Sequence, residues 1–174
     1  MRERIIAEMS AAEARPSLVY GSAATGVVNE TMRRSLRLTP ANETAELVTS
    51  RLLGCMDRVG KHFGVTLSEC EESQFLRYKE GDFFVAHQDG NTGMLRLDTE
   101  RRLVSTVIFL SRETDAPEPG PNVHCGGSLV FTNLQERFRM RADPGTLIAF
   151  RSETTHEVTP VTYGERHSIA SWYR

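Results

Sequence analysis

The side chains with the clearest potential for chemistry are a histidine and an aspartate two residues apart, His87 and Asp89. They come at the end of the apolar run FFVAH, which is typical of a strand. Residues two apart in an extended chain project from the same face, so an imidazole nitrogen and a carboxylate oxygen can converge on a metal there. A surface turn through Asp89-Gly90-Asn91 is the alternative, and the pair alone does not decide between the two.

A third candidate ligand is His156, at the start of a later predicted strand. In an antiparallel jelly roll, strands that are distant in sequence meet at one rim. Two imidazoles and one carboxylate leave coordination positions open, which suits ferrous iron that must also bind a cosubstrate and dioxygen, whereas a closed zinc site needs a fourth ligand. The other histidines do not match: His62 falls in a predicted helix, His124 in a predicted proline-rich loop, and His167 on the strand face opposite to the arginine beside it.

That arginine, Arg166 of the segment GERHS, is the next candidate. It shares a strand face with Ser168, and a guanidinium beside a hydroxyl is a natural receptor for a carboxylate inside a barrel. An isolated arginine is more often a solvated surface residue. The position of Arg166 ten residues after His156 favours the carboxylate receptor.

The rest of the sequence predicts the elements that position these residues. A long amphipathic helix is predicted over residues 40–63, a shorter helix over residues 2–14, and edge strands at Val27-Val28 and over residues 33–38. From residue 73 onward, short apolar runs alternate with glycine, proline and polar clusters. The predicted strands are 75–78, 83–87, 103–110, 128–131, 138–140, 146–150, 156–161 and 166–173. This pattern predicts a mainly β fold, a double-stranded β-helix (cupin-like jelly roll) with N-terminal supporting helices.

Length and composition set the wider expectations. The 174 residues predict one domain, 1–174, with a supporting segment 1–72 and a jelly-roll core 73–174. The net charge of −2 gives no reason to expect nucleic acid or a membrane as partner, and nothing indicates an oligomeric state. Three separated cysteines indicate reduced thiols and a cytoplasmic protein, and neither a signal peptide nor a membrane span is predicted.

Five motifs run in order through residues 73–174: RYKEGDFFVAHQDG, FLS, GGSLVF, PGTLIAF and HEVTPVTYGERHSIASWY. Together they resemble the catalytic core of the prolyl-hydroxylase superfamily of Fe(II)/2-oxoglutarate dioxygenases. The resemblance implies that His87, Asp89 and His156 bind iron, that Arg166 binds the distal carboxylate of 2-oxoglutarate, and that Tyr78 lines the cosubstrate pocket.

One residue departs from that pattern. Some prolyl hydroxylases have a tyrosine where Phe109 stands, and phenylalanine cannot donate a hydrogen bond. Ser168 or Thr106 is expected to take over in binding the cosubstrate.

The resemblance implies a dioxygenase that uses Fe(II), 2-oxoglutarate and dioxygen, with ascorbate as an optional further cofactor. The carboxylate at Asp89 favours hydroxylation over halogenation, with desaturation and ring closure left open. The favoured substrate is a prolyl or other amino-acid residue of a protein or peptide, and the alternative is a free amino acid or natural-product intermediate. A non-catalytic sensor barrel that binds metal and 2-oxoglutarate, and a zinc-dependent hydrolase, are alternatives of other classes.

Substrate choice is expected to reside in two loops, residues 90–101 and 111–126, the second of which carries three prolines and could form a lid. Some arginines could meet an acidic substrate, although such residues are usually solvated surface. They are Arg96, Arg101, Arg102 and the group Arg33, Arg34 and Arg37.

Overall fold

The computed structural model describes residues 1–19, 26–90, 98–133 and 136–174. Within these ranges the helices are α1 (Arg2–Ala11) and α2 (Asn42–Phe63), and a 3-10 turn spans Asp98–Arg101. The strands, in chain order, are β1 (Glu13–Pro16), β2 (Arg33–Arg34), β3 (Leu36–Thr39), β4 (Gln74–Tyr78), β5 (Phe83–His87), β6 (Val104–Phe109), β7 (Arg112–Thr114), β8 (Val123–Gly126), β9 (Leu129–Asn133), β10 (Glu136–Met140), β11 (Leu147–Arg151), β12 (His156–Val158), β13 (Val161–Gly164) and β14 (Arg166–Tyr173).

The strands form two large sheets and one small one. The large sheets have the orders β1-β3-β4-β14-β6-β11 and β10-β9-β12-β5-β2, and the small sheet has the order β13-β8-β7. Apolar side chains of β4 and β6 in the first sheet pack against those of β5, β9 and β12 in the second. The described strands therefore form an open jelly roll rather than a closed barrel, and the predicted mainly β fold with N-terminal helices is confirmed.

Helix α2 supports the outer face of the six-stranded sheet. Val48, Leu52 and Val59 recur at helical spacing and are buried in one cluster with residues of β4 and β14. Each such side chain contributes about 1.5–3 kcal/mol when fully buried. The helix ends at Gly64, whose φ of 67° is the left-handed conformation that glycine adopts readily. With this face covered by the helix, the inner face of the sheet is available for a site.

The N-terminal segment differs from its prediction in three places. Helix α1 ends at Ala11, three residues before its predicted end, and the chain enters β1, which pairs with β3. The predicted strand over 33–38 divides at buried Ser35 into β2 and β3, which belong to different sheets. The predicted edge strand at Val27-Val28 is reduced to one isolated bridge between Val27 and Val19.

Two predictions in the core region are also corrected. His124 lies in β8 rather than in a loop, and its side chain is buried. The predicted strand over 156–161 divides into β12 and β13 around Pro160, which has no backbone N–H to continue the ladder.

Candidate active site

Three metal-ligand candidates converge at one rim of the five-stranded sheet. His87 is the last residue of β5 and His156 the first of β12, and the two are directly paired across the sheet. Asp89 follows shortly after β5. One ligand atom from each side chain lies within 4.8 Å of the others, and no fourth ligand joins them among the described residues. The histidine Nε2 atoms are each 3.5 Å from a different oxygen of the Asp89 carboxylate.

Each histidine is oriented by the same kind of hydrogen bond. The Nδ1 atom of His87 is 2.8 Å from the carbonyl oxygen of Val85, and that of His156 is 2.9 Å from the carbonyl oxygen of Thr154. Because a carbonyl oxygen can only accept, Nδ1 carries the proton and Nε2 of the neutral ring keeps its lone pair. Burial lowers the pKa of His156, which favours the neutral ring. Both imidazoles can therefore donate a lone pair to a metal.

Asp89 is fixed by the main chain and ionised by its neighbours. Its backbone N–H donates to the carbonyl oxygen of Ser152 at 2.9 Å. Burial alone would raise the pKa of the Asp89 carboxyl, but the protonated forms of His156 and His87 lower it far below its ordinary value, and the indole of Trp172 contributes in the same direction. The carboxylate is therefore in the deprotonated form that a metal ligand requires.

On the facing sheet, Arg166 begins β14 and lies directly opposite Tyr78 of β4. Its Nη1 donates to Ser168 Oγ at 2.7 Å, and its guanidinium carbon is 5.1 Å from the ring centre of Tyr78 and 5.7 Å from that of Phe109. Arg166 is buried, and among the described residues it has no ion-pair partner and its Nε has no hydrogen-bond acceptor. Burial lowers the pKa of Arg166. A buried guanidinium in this state is a receptor for an anion.

The other residues predicted to contact the cosubstrate differ in whether their hydroxyl groups are available. Tyr78 and Ser168 line the same cavity as Arg166, and the Ser168 hydroxyl, which accepts from Arg166, keeps a proton to donate. The Tyr78 hydroxyl makes no hydrogen bond to any described residue. Thr106 borders the cavity, but it is paired with Ser171 in the sheet and its hydroxyl donates to the Ser171 carbonyl oxygen at 3.0 Å. The hydroxyl of Thr106 is thus engaged with the backbone.

All these side chains border one cavity of about 130 Å³ between the two large sheets. Its wall also contains Arg33, Arg102 and Trp172. Of the two roles left open for the arginines, solvated surface is excluded for these two, because Arg33 is 7% exposed and the side chain of Arg102 is 11% exposed. Trp172 could have been placed from sequence, since strand alternation puts it on the same face as Arg166.

Behind the ligand rim, Arg102 connects separate parts of the chain. It donates two hydrogen bonds to the Glu71 carboxylate, at 2.8 and 2.7 Å, and its guanidinium carbon is 3.8 Å from the ring centre of Trp172. Its Nη1 is also 3.4 Å from the main-chain carbonyl oxygen of Asp89. Glu71 accepts a further bond from Arg174 at 2.8 Å. Arg102 is therefore ion-paired with a carboxylate that it shares with Arg174, and its position is fixed from several sides.

The two loops expected to choose the substrate have different outcomes. No residue from 111 to 126 lines the cavity, and the role of this segment as a lid stays a prediction. The segment contributes β7 and β8, with Cys125 buried. In the other loop Thr99 lines the cavity, and residues 91–97 lie outside the described ranges. Among the described residues, no helix is both long and apolar enough to cross a bilayer.

Comparison with known proteins defines the class. Residues 73–174 match the model of the 2OG-Fe(II) oxygenase superfamily. The chain therefore belongs to this superfamily.

Curated relatives of similar sequence include PKHD-type hydroxylases. PKHD-type hydroxylases from Shewanella sp. (strain ANA-3) and Burkholderia cenocepacia (strain HI2424) are 29% and 27% identical over 163 and 158 residues. Each match covers 88% of this chain, and the chain spans 66% of the length of each relative.

Solved structures agree in fold. A prolyl-4-hydroxylase from Pseudomonas putida superposes with a TM-score of 0.69 at 25% identity, covering 99% of this chain and 83% of the other. A prolyl hydroxylase from Trichoplax adhaerens, solved with a peptide fragment of the hypoxia inducible factor oxygen degradation domain, gives a TM-score of 0.66 at 17% identity, covering 99% and 77% of the two chains.

Proposed function

We propose that this protein is an Fe(II)- and 2-oxoglutarate-dependent oxygenase that hydroxylates a C–H bond. Iron is held by His87, Asp89 and His156, and Arg166 binds the distal carboxylate of 2-oxoglutarate. The observation that carries the proposal is the presence of a three-ligand cluster and a buried, unpaired guanidinium in one cavity.

The ligand cluster fits ferrous iron. It offers two neutral imidazole nitrogens and one carboxylate oxygen, and it lacks a fourth described protein ligand that would close the coordination sphere. Bound iron with 2-oxoglutarate and dioxygen supplies the oxidising power that inserts oxygen into a C–H bond, with succinate and carbon dioxide formed. The histidine and aspartate side chains contribute fixed donor geometry, since hydrogen bonds to the main chain set both imidazole rings.

The facing wall fits the cosubstrate. The Arg166 guanidinium supplies charge-assisted donors, and the Ser168 hydroxyl beside it can add a further hydrogen bond. The Tyr78 hydroxyl is available on the same wall. Ser168, which lies directly opposite Phe109 in the sheet, takes the role that tyrosine has in some relatives, whereas the Thr106 hydroxyl does not. The aromatic rings around Arg166 exclude water and so strengthen its attraction for a carboxylate.

We infer that the hydroxylated carbon belongs to an amino-acid unit, with a prolyl or other residue of a peptide favoured. The structural relatives described as prolyl hydroxylases support this choice. So does the mouth of the cavity, where Leu18 and Met32 line the opening and are 38% and 41% exposed. Apolar side chains at an opening of this kind can contact the residues that flank a reacting one.

The test is formation of succinate from 2-oxoglutarate. Purified protein with Fe(II), dioxygen and 2-oxoglutarate is expected to produce succinate, and a panel of proline-containing peptides and free amino acids should show which class accelerates it. Asp89→Ala should abolish the reaction, whereas Asp57→Ala, which removes an exposed carboxylate of α2, should not. Binding of 2-oxoglutarate without its conversion to succinate, alone or with any panel member, would contradict the proposal and favour a sensor.

A further inference from the structure

A second buried arginine lies in the cavity on the wall opposite Arg166. Arg33 is in β2, directly paired with Phe84 of β5. Its Nε donates to Ser35 Oγ at 3.0 Å and its Nη1 to the carbonyl oxygen of Leu18 at 3.3 Å. The guanidinium carbon is 4.7 Å from the centre of the Phe84 ring. These contacts hold the group in one position.

Arg33 is separated from the proposed metal ligand His87 by the ring of Phe84. The Phe84 ring stacks on His87 with centroids 3.6 Å apart and planes inclined by 18°. Leu18 and Met32, on either side of Arg33 in the cavity lining, are the partly exposed residues of the mouth. Arg33 is therefore on the side from which a substrate enters, whereas Arg166 lies on the facing sheet.

Arg33 has no counter-ion. Among the described residues, no carboxylate lies within ion-pair distance of it, and its Nη2 atom has no acceptor. The next residue provides a contrast: Arg34 lies 3.8 Å from an Asp82 oxygen and its side chain is 45% exposed. A buried charge without a partner is costly, so such a group is retained where a ligand supplies the partner.

The charges of the metal and cosubstrate sites balance without Arg33. The charges of ferrous iron and Arg166 would equal in sum those of Asp89 and the 2-oxoglutarate dianion. Arg102 already has an ion-pair partner in Glu71, which it shares with Arg174. With metal and cosubstrate bound, the positive charge of Arg33 is what remains at the substrate side.

We propose that Arg33 is a substrate-binding residue that receives a carboxylate carried by the substrate. This inference rests on the proposed function and names the chemistry of its substrate. A carboxylate, rather than a neutral carbonyl, is the ligand that both neutralises the charge and matches the guanidinium fork. It has two sources: the α-carboxylate of a free amino acid, or an aspartate or glutamate side chain near the oxidised residue of a peptide.

The chain contains its own reporter for the test. Trp172 is the only tryptophan, and it lines the cavity. Its fluorescence should respond when ligands enter. Protein loaded with Mn(II), which does not support turnover, is first titrated with 2-oxoglutarate. The binary complex is then titrated with matched pairs of probes that differ only in a carboxylate.

The first pair is L-proline and L-prolinamide, and the second is a capped Ala-Pro-Asp-Ala peptide and its Asn counterpart. In the wild-type protein the carboxylate member of at least one pair should bind about tenfold more tightly, the effect of one charge-assisted hydrogen bond. The pair that shows the preference identifies the source of the carboxylate. The preference should disappear in Arg33→Gln and persist in Arg34→Gln, which removes a charge from the same strand outside the cavity.

Arg33→Lys keeps the positive charge and is expected to keep a reduced preference, which tests the proposal if Arg33→Gln fails to fold. Three results for the carboxylate preference overturn the inference: its absence in wild type, its survival in Arg33→Gln, and its loss in Arg34→Gln. Failure of every carboxylate probe to bind overturns it as well. If 2-oxoglutarate itself fails to bind by calorimetry, the proposed function falls, and this inference with it. A normal 2-oxoglutarate response without the preference overturns the inference alone.

Discussion

Replacing Arg166 by methionine should move ligand binding and stability in opposite directions. The guanidinium is buried between Tyr78 and Phe109 and has no anionic partner among the described residues. In a protein where Arg166 serves the fold, Arg166→Met would lower both stability and binding. In the proposed oxygenase, the Arg166 charge serves cosubstrate binding and lowers the stability of the ligand-free protein, so Arg166→Met should weaken binding without lowering stability.

The magnitudes follow from the contacts. A hydrogen bond to a charged group contributes about 1.5–3 kcal/mol, so loss of two such bonds to the 2-oxoglutarate carboxylate weakens binding by about 3 kcal/mol or more, at least about 100-fold. Replacing a buried charge by an apolar side chain of similar volume is neutral or stabilising by about 1–4 kcal/mol. A gain of about 1 kcal/mol raises the Tm of a domain of this size by about 2–4 °C.

Two measurements on Arg166→Met and wild type check this reasoning. Isothermal titration of Mn(II)-loaded protein with 2-oxoglutarate gives the affinity, and thermal unfolding without metal or cosubstrate gives the Tm. Arg34→Gln is the control, since it removes an exposed arginine, and it should leave 2-oxoglutarate affinity unchanged. A clear fall in Tm, or a 2-oxoglutarate affinity within a few-fold of wild type, would refute the assignment of Arg166 as an anion receptor.

Three further substitutions test other parts of the site. Tyr78→Phe removes one hydroxyl from the cosubstrate wall and should weaken 2-oxoglutarate binding by about 5–10-fold in the same titration, the effect of one hydrogen bond. Glu71→Ala leaves Arg102 unpaired and should cost about 3 kcal/mol near neutral pH, measured by urea unfolding. Burial raises the pKa of Glu71, but its arginine partners lower it overall, so this stabilisation should be present above the ordinary glutamate value of 4.5 and be lost as pH falls through the lower folded value. Gly90→Ala brings a Cβ into a steric clash with the Thr99 carbonyl oxygen and so displaces the main chain beside Asp89. Because a misplaced side chain binds a metal less well, Mn(II) binding should weaken at least tenfold in an electron paramagnetic resonance titration.

Each of these has a result that would contradict it. Unchanged 2-oxoglutarate affinity in Tyr78→Phe would remove that hydroxyl from the pocket. A stability difference for Glu71→Ala that persists unchanged in acid would mean that its ion pairs are not the source of the effect. Wild-type metal affinity in Gly90→Ala would show that the main chain there yields without disturbing Asp89.

The ligand candidates were accessible from sequence because their geometry is local. His87 and Asp89 are two residues apart at a strand end, and Arg166 and Ser168 share a face by simple alternation. The structure brings these side chains to one cavity, with Arg166 bonded to Ser168. What alternation could not give is the pairing of His156 with His87, which depends on the register of two strands far apart in the chain.

Arg33 and Arg102, two arginines of the cavity wall, show where sequence reasoning fails. Arg102 pairs with Glu71 across 31 positions of the chain, and Arg33 packs on a ring of another strand. A single charged residue carries no local signal of such burial, so the sequence could not decide between solvated surface and a place in the site. The general rule that arginines are solvated held for Arg34, which lies beside Arg33 but on the exposed face of the same short strand.

The strands within segment 111–126 were missed for a different reason. Its three prolines lie in the connection between β7 and β8, and neither of these short strands shows the regular alternation of buried and exposed residues that reveals a strand in sequence. The burial of His124 could not be foreseen, because its neighbour across the sheet, Gly164, comes from β13. Burial lowers the pKa of His124 to about 4, so it is neutral at physiological pH.

The most direct test of the central claim is visible absorption after anaerobic addition of Fe(II) and 2-oxoglutarate. Chelation of 2-oxoglutarate by iron at this site should give a weak charge-transfer band in wild type and in Asp57→Ala, and the band should be absent in His87→Ala and Asp89→Ala. A wild-type protein without the band, or a band that survives loss of either ligand, would contradict the account.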